Sequence, residues 1–206
     1  MLGPGVCIAF QADLSTFEGC VQLAKDMEAK EKRITCQRTL KLTIPDLDVL
    51  VHNSGNNWGA PFEEYVPPIN PNKIVDIQPD AAWSRVIGLN LVRPFTLTQK
   101  LLPLLLKSQS PRIIHIGSIS GISVPGLETY AYSASKAGLH HLSQVLAVKL
   151  GQRGVRVNTI ACGPFESKMM AETLKNVVPQ EYPRPFEILR DWVCFWTGVD
   201  GSMGDD

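Results

Sequence analysis

The run Arg112-Ile-Ile-His-Ile-Gly-Ser118 constrains the fold of this chain more than any other segment. It is short, rich in β-branched residues and closed by small polar ones, the pattern of a buried parallel strand that empties into a loop. The loop over 119–129 carries Gly121, Pro125 and Gly126, so the chain can turn back and lay the next helix beside the strand. Further apolar runs at 6–12 and 47–52 read as strands. Between them, Ser15-Thr-Phe-Glu18 has capping-box spacing, and Phe17, Val21, Ala24 and Met27 follow at helical intervals. A second helix is predicted from Asp80 to about Lys107, bent at Pro94 and Pro103, and a third over 131–150, stopped by Gly151 or Gly154. In the third helix Ala134, Ala137, Gly138, Leu142 and Val145 form a stripe for the sheet or for a second subunit. Strands alternating with helices predict an α/β fold with a parallel sheet.

The third helix opens with Tyr132-Ser-Ala-Ser-Lys136, which puts a phenol and an ammonium on one helix face. At ~5 Å and an effective dielectric of ~20, the cation favours the phenolate by about 3 kcal/mol, roughly two pKa units. A tyrosine tuned in that way can exchange protons with a carbonyl or an alcohol. The bare pair is more often plain helix surface. Ser118 changes the balance, because it stands at the carboxyl end of a predicted strand, where open α/β sheets place ligands. A hydroxyl there can hold the oxygen that Tyr132 protonates.

Serine, loop, tyrosine and lysine in this order resemble the short-chain dehydrogenases/reductases. The stretch from Arg112 to Gly121, followed by Tyr130-Ala-Tyr-Ser-Ala-Ser-Lys-Ala-Gly-Leu-His-His-Leu-Ser143, looks especially like the 3-oxoacyl-acyl-carrier-protein reductases of the rhamnolipid-synthesis type. Asp46-Leu-Asp-Val-Leu-Val-His-Asn-Ser-Gly55 is similar to the family's strand and Asn-Asn-Ala-Gly turn, with His52 for the first Asn and Ser54 for Ala. Asn90-Leu-Val-Arg-Pro-Phe-Thr96 resembles the helix carrying the active-site Asn. Val155-Arg-Val-Asn-Thr-Ile-Ala-Cys-Gly-Pro164 looks like the next strand and its Pro-Gly loop, with Cys162 where proline is usual. The resemblance implies a catalytic tetrad of Asn90, Ser118, Tyr132 and Lys136. Tyr132 would be the general acid, Ser118 would hold the carbonyl oxygen, Lys136 would lower the Tyr132 pKa and bind the nicotinamide ribose, and Asn90 would hold a relay water. It also implies cofactor contacts at Asp13, Asn53, Ser54, Gly55, Tyr132, Lys136, Gly163, Pro164 and Ser167. NADPH is the expected cofactor, with NAD as an alternative, and a 3-oxoacyl thioester or other ketone the expected substrate.

The same comparison implies an incomplete fold. No glycine-rich turn opens a helix ahead of the first apolar run, since Gly3-Pro4-Gly5 precedes it. The expected architecture is an incomplete Rossmann-like parallel sheet flanked by helices, lacking the family's first two strands and its last. In the order 3-2-1-4-5-6 this would leave strand 6–12 without a neighbour and strand 47–52 at a raw edge. A truncated dinucleotide-binding domain is expected over 1–176, with an extra stretch at 33–45. A divergent tail over 177–206 contains Pro179, Pro183, Pro185 and Trp192-Val-Cys-Phe-Trp196. An inactive relative that at most binds a partner through its helices is the alternative to an active reductase.

Composition removes other classes. The 206 residues carry twenty acidic and twenty basic side chains, which gives no electrostatic case for nucleic acid. Leu101 to Leu106 is the longest leucine cluster; it is too short for a bilayer and is split by Pro103. The five cysteines form no C-x-x-C pair, which argues against a metal site or disulfide framework and suits the cytoplasm. Trp58, Phe62 and Tyr65 are candidates for an acyl-chain wall, while Arg153 and Arg156 read as solvated surface. A homo-oligomer through helices 80–107 and 131–150 is what the resemblance implies for a folded chain.

Overall fold

The computed structural model describes residues 9–34, 47–59, 80–124, 129–163 and 195–198, with the side chains of 30–34 and 195–198 left aside. Three parallel strands form the sheet: β1 (Val49–His52), β2 (Arg112–Ile116) and β3 (Arg156–Ala161). β4 (Phe195–Gly198) closes it antiparallel to β3, giving the order β1-β2-β3-β4. No parallel strand follows β3 among the described residues, yet the tail still supplies an edge.

The helices are α1 (Phe17–Ile34), α2 (Asp80–Ile87), α3 (Arg93–Leu105) and α4 (Tyr130–Gly151). The predicted helix over 80–107 is broken differently from expectation. It passes through a π turn, Gly88–Val92, before Pro94, and α3 runs on through Pro103. Proline at the second position of α3 lacks only an N–H that a new helix start leaves free in any case. α4 ends in a Schellman motif: Val155 N–H donates to Leu150 O at 3.1 Å, Gly154 N–H to Gly151 O at 2.8 Å, and Gly154 takes φ +79°. At the start of α1 it is Thr16, not Ser15, that caps. Its Oγ1 accepts from Gly19 N–H at 3.0 Å, while Ser15 is turned onto Asp13.

One expectation changes. Residues 9–12 are not a strand; the rest of the predicted 6–12 run lies outside the described residues. An extended run needs a neighbour for its backbone hydrogen bonds, and the described sheet offers none there. The strands are not covered equally on both faces. Leu50, Ile113 and Val157 point into the core with Leu97, Leu101, Leu104 and Leu105 of α3 and Leu146, Ala147 and Leu150 of α4. On the other face Val49 and Val51 of β1 are exposed. α1 adds Cys20, Leu23, Ala24 and Met27 to the core by packing on α3. Truncating a fully buried member such as Leu101 to alanine would cost about 2–5 kcal/mol. The 35–45 part of the extra stretch lies outside the described residues.

Candidate active site

The sheet and α4 converge at the carboxyl end of β2. One residue beyond Gly117 the chain reaches Ser118, extended at φ −157° and ψ 149°, which caps a 3₁₀ turn over Ile119–Gly121 by accepting from Ser120 N–H at 3.2 Å. That turn lies directly on the backbone of α4. A Cβ on Gly121 would come 2.6 Å from the carbonyl carbon of Lys136 and 2.7 Å from the nitrogen of Ala137, so only glycine permits the approach. The approach brings Ser118, Tyr132 and Lys136 into one cleft.

Within it the Ser118 hydroxyl acts on the Tyr132 phenol: burial pushes the phenol's pKa up, and the serine hydroxyl offsets part of that rise. The net shift is therefore upward, the reverse of the direction expected from Lys136 alone. The ammonium lies 5.6 Å from the centre of the Tyr132 ring and donates to Ile116 O at 2.7 Å, so it is aimed at the strand end. Burial lowers the Lys136 pKa to about 8, with Cys162 nearby opposing the shift. At neutral pH the phenol is protonated and the lysine is predominantly a cation.

Asn90 sits in the π turn, a helix irregularity frequent at functional sites. It is almost wholly buried, and its side chain is occupied: Oδ1 accepts from Asn56 N–H at 2.9 Å, while Nδ2 donates to Asn56 O at 2.9 Å and to Ser135 Oγ at 3.0 Å. Ser135 Oγ in turn donates to Tyr132 O at 2.7 Å. Asn90 is thus a clamp between the loop after β1 and α4. Gly55 lies in this clamp, where a Cβ would stand 3.1 Å from Asn90 Oδ1 and 3.8 Å from Lys136 Nζ.

The other expected cofactor residues are placed unevenly. Asn53 and Ser54 are exposed just past β1. Asp13 is exposed too, and its carboxylate accepts from Ser15 N–H at 2.9 Å and Ser15 Oγ at 2.6 Å, bonds that lower its pKa. Gly163 is half-buried just beyond β3; Pro164, Ser167, Phe62 and Tyr65 lie outside the described residues. A cavity of about 40 Å³, lined by Leu14, Cys20, His52, Asn53, Ser54 and Arg93 among others, holds a few waters at most.

Sequence reasoning gave no role to the buried histidines. His52 and His115 stack with ring centres 4.9 Å apart, and His140 Nε2 accepts from the Ser118 N–H at 3.3 Å. His140 follows Lys136 by one helical turn, so its position on the site face was readable from spacing.

Compared with known proteins, residues 7–177 match the family model for short chain dehydrogenases. The chain belongs to the short-chain dehydrogenase family. It is 39% identical over 169 residues to a rhamnolipid-biosynthesis 3-oxoacyl-[acyl-carrier-protein] reductase of Pseudomonas aeruginosa, covering 80% of this chain and 56% of that one. A 3-oxoacyl-[acyl-carrier-protein] reductase of a Synechocystis strain is 32% identical over 190 residues, covering 89% and 66%. Among solved structures, the Pseudomonas aeruginosa RhlG/NADP active-site complex superposes with a TM-score of 0.63 at 36% identity, covering 82% of this short-chain dehydrogenase and 57% of that chain. The chain therefore spans a little over half the length of the Pseudomonas relatives.

Proposed function

We propose that this short-chain dehydrogenase reduces a ketone, of the 3-oxoacyl thioester class, to an alcohol with NADPH. The observation that carries the reading is the docking of the turn after Ser118 on the backbone of α4 at Lys136, with the Lys136 ammonium 5.6 Å from the centre of the Tyr132 ring. The residues present fit the nicotinamide ribose of a bound dinucleotide. Lys136 has donor capacity beyond its bond to Ile116 O, and the missing Cβ of Gly55 leaves room on the lysine's side. NADPH would supply the hydride. Asp13, Asn53, Ser54, Gly55 and Gly163 are the described residues proposed to contact it, with Pro164 and Ser167.

The chain's own residues account for the proton. Tyr132 holds it on the phenol at neutral pH, because burial disfavours the phenolate. Ser118 Oγ, which acts on that phenol, would orient a carbonyl oxygen against it. As negative charge develops on that oxygen, proton transfer from Tyr132 Oη neutralises it, and the Lys136 cation stabilises the phenolate left behind. Asn90 keeps the loop after β1 against α4 while this happens.

The supporting relatives are 3-oxoacyl reductases, and the similar solved complex contains NADP. Self-association is part of the reading, through the exposed Val92, Phe95, Val145 and Val148 of the π turn, α3 and α4, with Ala134 and Ala137 also exposed. A second reading, an inactive relative serving as an interaction module, is favoured by the uncovered face of β1, where Val51 is 52% exposed. A cytoplasmic site of action belongs to the proposal as well; no described helix is long and apolar enough to cross a membrane.

Titration with NADPH, followed by cofactor fluorescence, separates the readings. Saturable binding and turnover of a 3-oxoacyl thioester are expected of the wild type, and Tyr132→Phe should keep the binding while losing about a hundred- to ten-thousandfold in kcat. Absence of binding at millimolar NADPH would leave the second reading, and full activity in Tyr132→Phe would remove the proposed acid.

A further inference from the structure

Ser118 stands between two residues whose amides are held by the β3 side of the sheet. Gly117 N–H donates to Ile160 O at 2.8 Å, and Ile119 N–H donates to Cys162 O at 3.0 Å. The buried N–H of Ser118 lies past the last β1–β2 pair, His52 with His115, and takes the imidazole of His140 instead. A buried amide left without an acceptor would be costly, so this ring is what allows the strand end to hold its position. The packing is close: a Cβ on Gly117 would collide with the His140 ring and stand 2.7 Å from the methyl of Thr159. His140 is 8% exposed and lies one turn beyond Lys136 and two beyond Tyr132, on the face of α4 that meets the site.

We propose that His140 is a positioning residue for Ser118: its unprotonated Nε2 fixes the Ser118 backbone, and through it the direction of Oγ toward Tyr132. The inference rests on the reductase reading above. For Nε2 to accept, the ring proton must be on Nδ1; an imidazolium would set N–H against N–H and release Ser118. The titratable groups that face the ring are Lys136 on its own helix and His115 on β2. Burial lowers the ring's pKa; the backbone of Ser118 opposes that shift and the Lys136 charge adds to it, so the net direction is toward the neutral ring. No described carboxylate is among the groups that shift it.

The test compares the wild-type chain with His140→Leu and His140→Gln, because a glutamine amide oxygen can accept from the Ser118 N–H where leucine cannot. His140→Leu is expected to lose about tenfold or more in kcat, the scale of one lost hydrogen bond, with KM for NADPH unchanged. His140→Gln should recover most of that loss and shed the acid limb of the wild-type kcat–pH profile. Wild-type kcat in a folded His140→Leu, or equal losses in both variants, overturns the proposal. Long-range proton–nitrogen spectra of histidine-labelled wild type give an answer that needs no activity. A bare Nε2 with the proton on Nδ1 supports the assignment, and a protonated Nε2 sinks it. A wild type that does not turn over removes the reductase reading alone, and the ring spectrum still decides the contact.

Discussion

At the scale of single residues, the proposed reduction relies on a cation that is buried away from water. Lys136 is buried with one carbonyl, Ile116 O, as its recorded hydrogen-bond partner, and its pKa is lowered to about 8. An unfolded lysine titrates near 10.4, so below about pH 8 both states are protonated and the folded state bears the whole cost of the buried charge, about 3 kcal/mol. Between pH 8 and 10.4 the folded chain loses its proton first and this cost disappears. Lys136→Met should therefore raise stability at pH 7 by about 1–3 kcal/mol in urea unfolding, lose reductase activity, and show none of the wild type's relative gain in stability from pH 8 to 10. A methionine variant less stable than wild type at pH 7 would show that the bond to Ile116 O outweighs the burial of charge. The membership of the proposed tetrad was read in the sequence from spacing and order. The direction of the Tyr132 pKa was not: spacing places Lys136 nearby but cannot show that its ammonium turns to Ile116 O while the phenol is desolvated.

At the scale of elements, what matters is how closely the 3₁₀ turn after β2 can approach α4. Gly121 meets α4 backbone, which cannot move aside, whereas Gly151 at the end of the same helix has nothing within 4 Å of an added Cβ and no positive φ. Gly121→Ala should cost about 1–3 kcal/mol, and Gly151→Ala should be neutral or stabilise by up to about 1 kcal/mol. Paired thermal unfolding of the two variants checks this, and equal effects would mean that the turn does not dock as described. The helices were readable from periodicity, β1 and β2 from their apolar runs, and β3 through the resemblance to the family. The break at Gly88–Val92 was not, since Pro94 marks a place where a helix can bend but not the π turn ahead of it, which is set by Asn90 reaching Asn56 and Ser135. The predicted strand at 6–12 is absent over its described part, 9–12, for the opposite reason: an apolar run states what a segment would bury, and whether it becomes a strand depends on a neighbour elsewhere in the chain.

At the scale of the whole molecule, the covered face of the sheet is held to its helices through polar groups as well as through leucines. His52 Nε2 pairs with Thr98 Oγ1 of α3 at 2.9 Å, and His115 Nδ1 pairs with Ser143 Oγ of α4 at 2.8 Å, so the stacked rings tie both helices to adjacent strands. Ser143 Oγ already donates to Leu139 O, which makes it the acceptor and places the His115 proton on Nδ1. Burial holds the His52 pKa down at about 4, and burial followed by the His52 and Lys136 charges holds His115 at about 3. In the unfolded chain both titrate near 6.5, so stability is complete above that pH. As pH falls from 6.5 the unfolded state takes up protons first, and stability declines until the folded values are reached. Two such groups give a slope of roughly 3 kcal/mol per pH unit, and the full loss is comparable with the 5–15 kcal/mol that holds a typical domain together. The chain should therefore unfold before its stacked pair can protonate, with a steep fall in urea midpoint between pH 6.5 and 4.5. Replacing both rings, in His52→Asn/His115→Asn, should lower stability at pH 7 and flatten that fall. A wild-type midpoint that stays level over the interval would show that the rings reach solvent in the folded state, and the sheet would then not be sealed by α3 and α4 in the way its buried face requires.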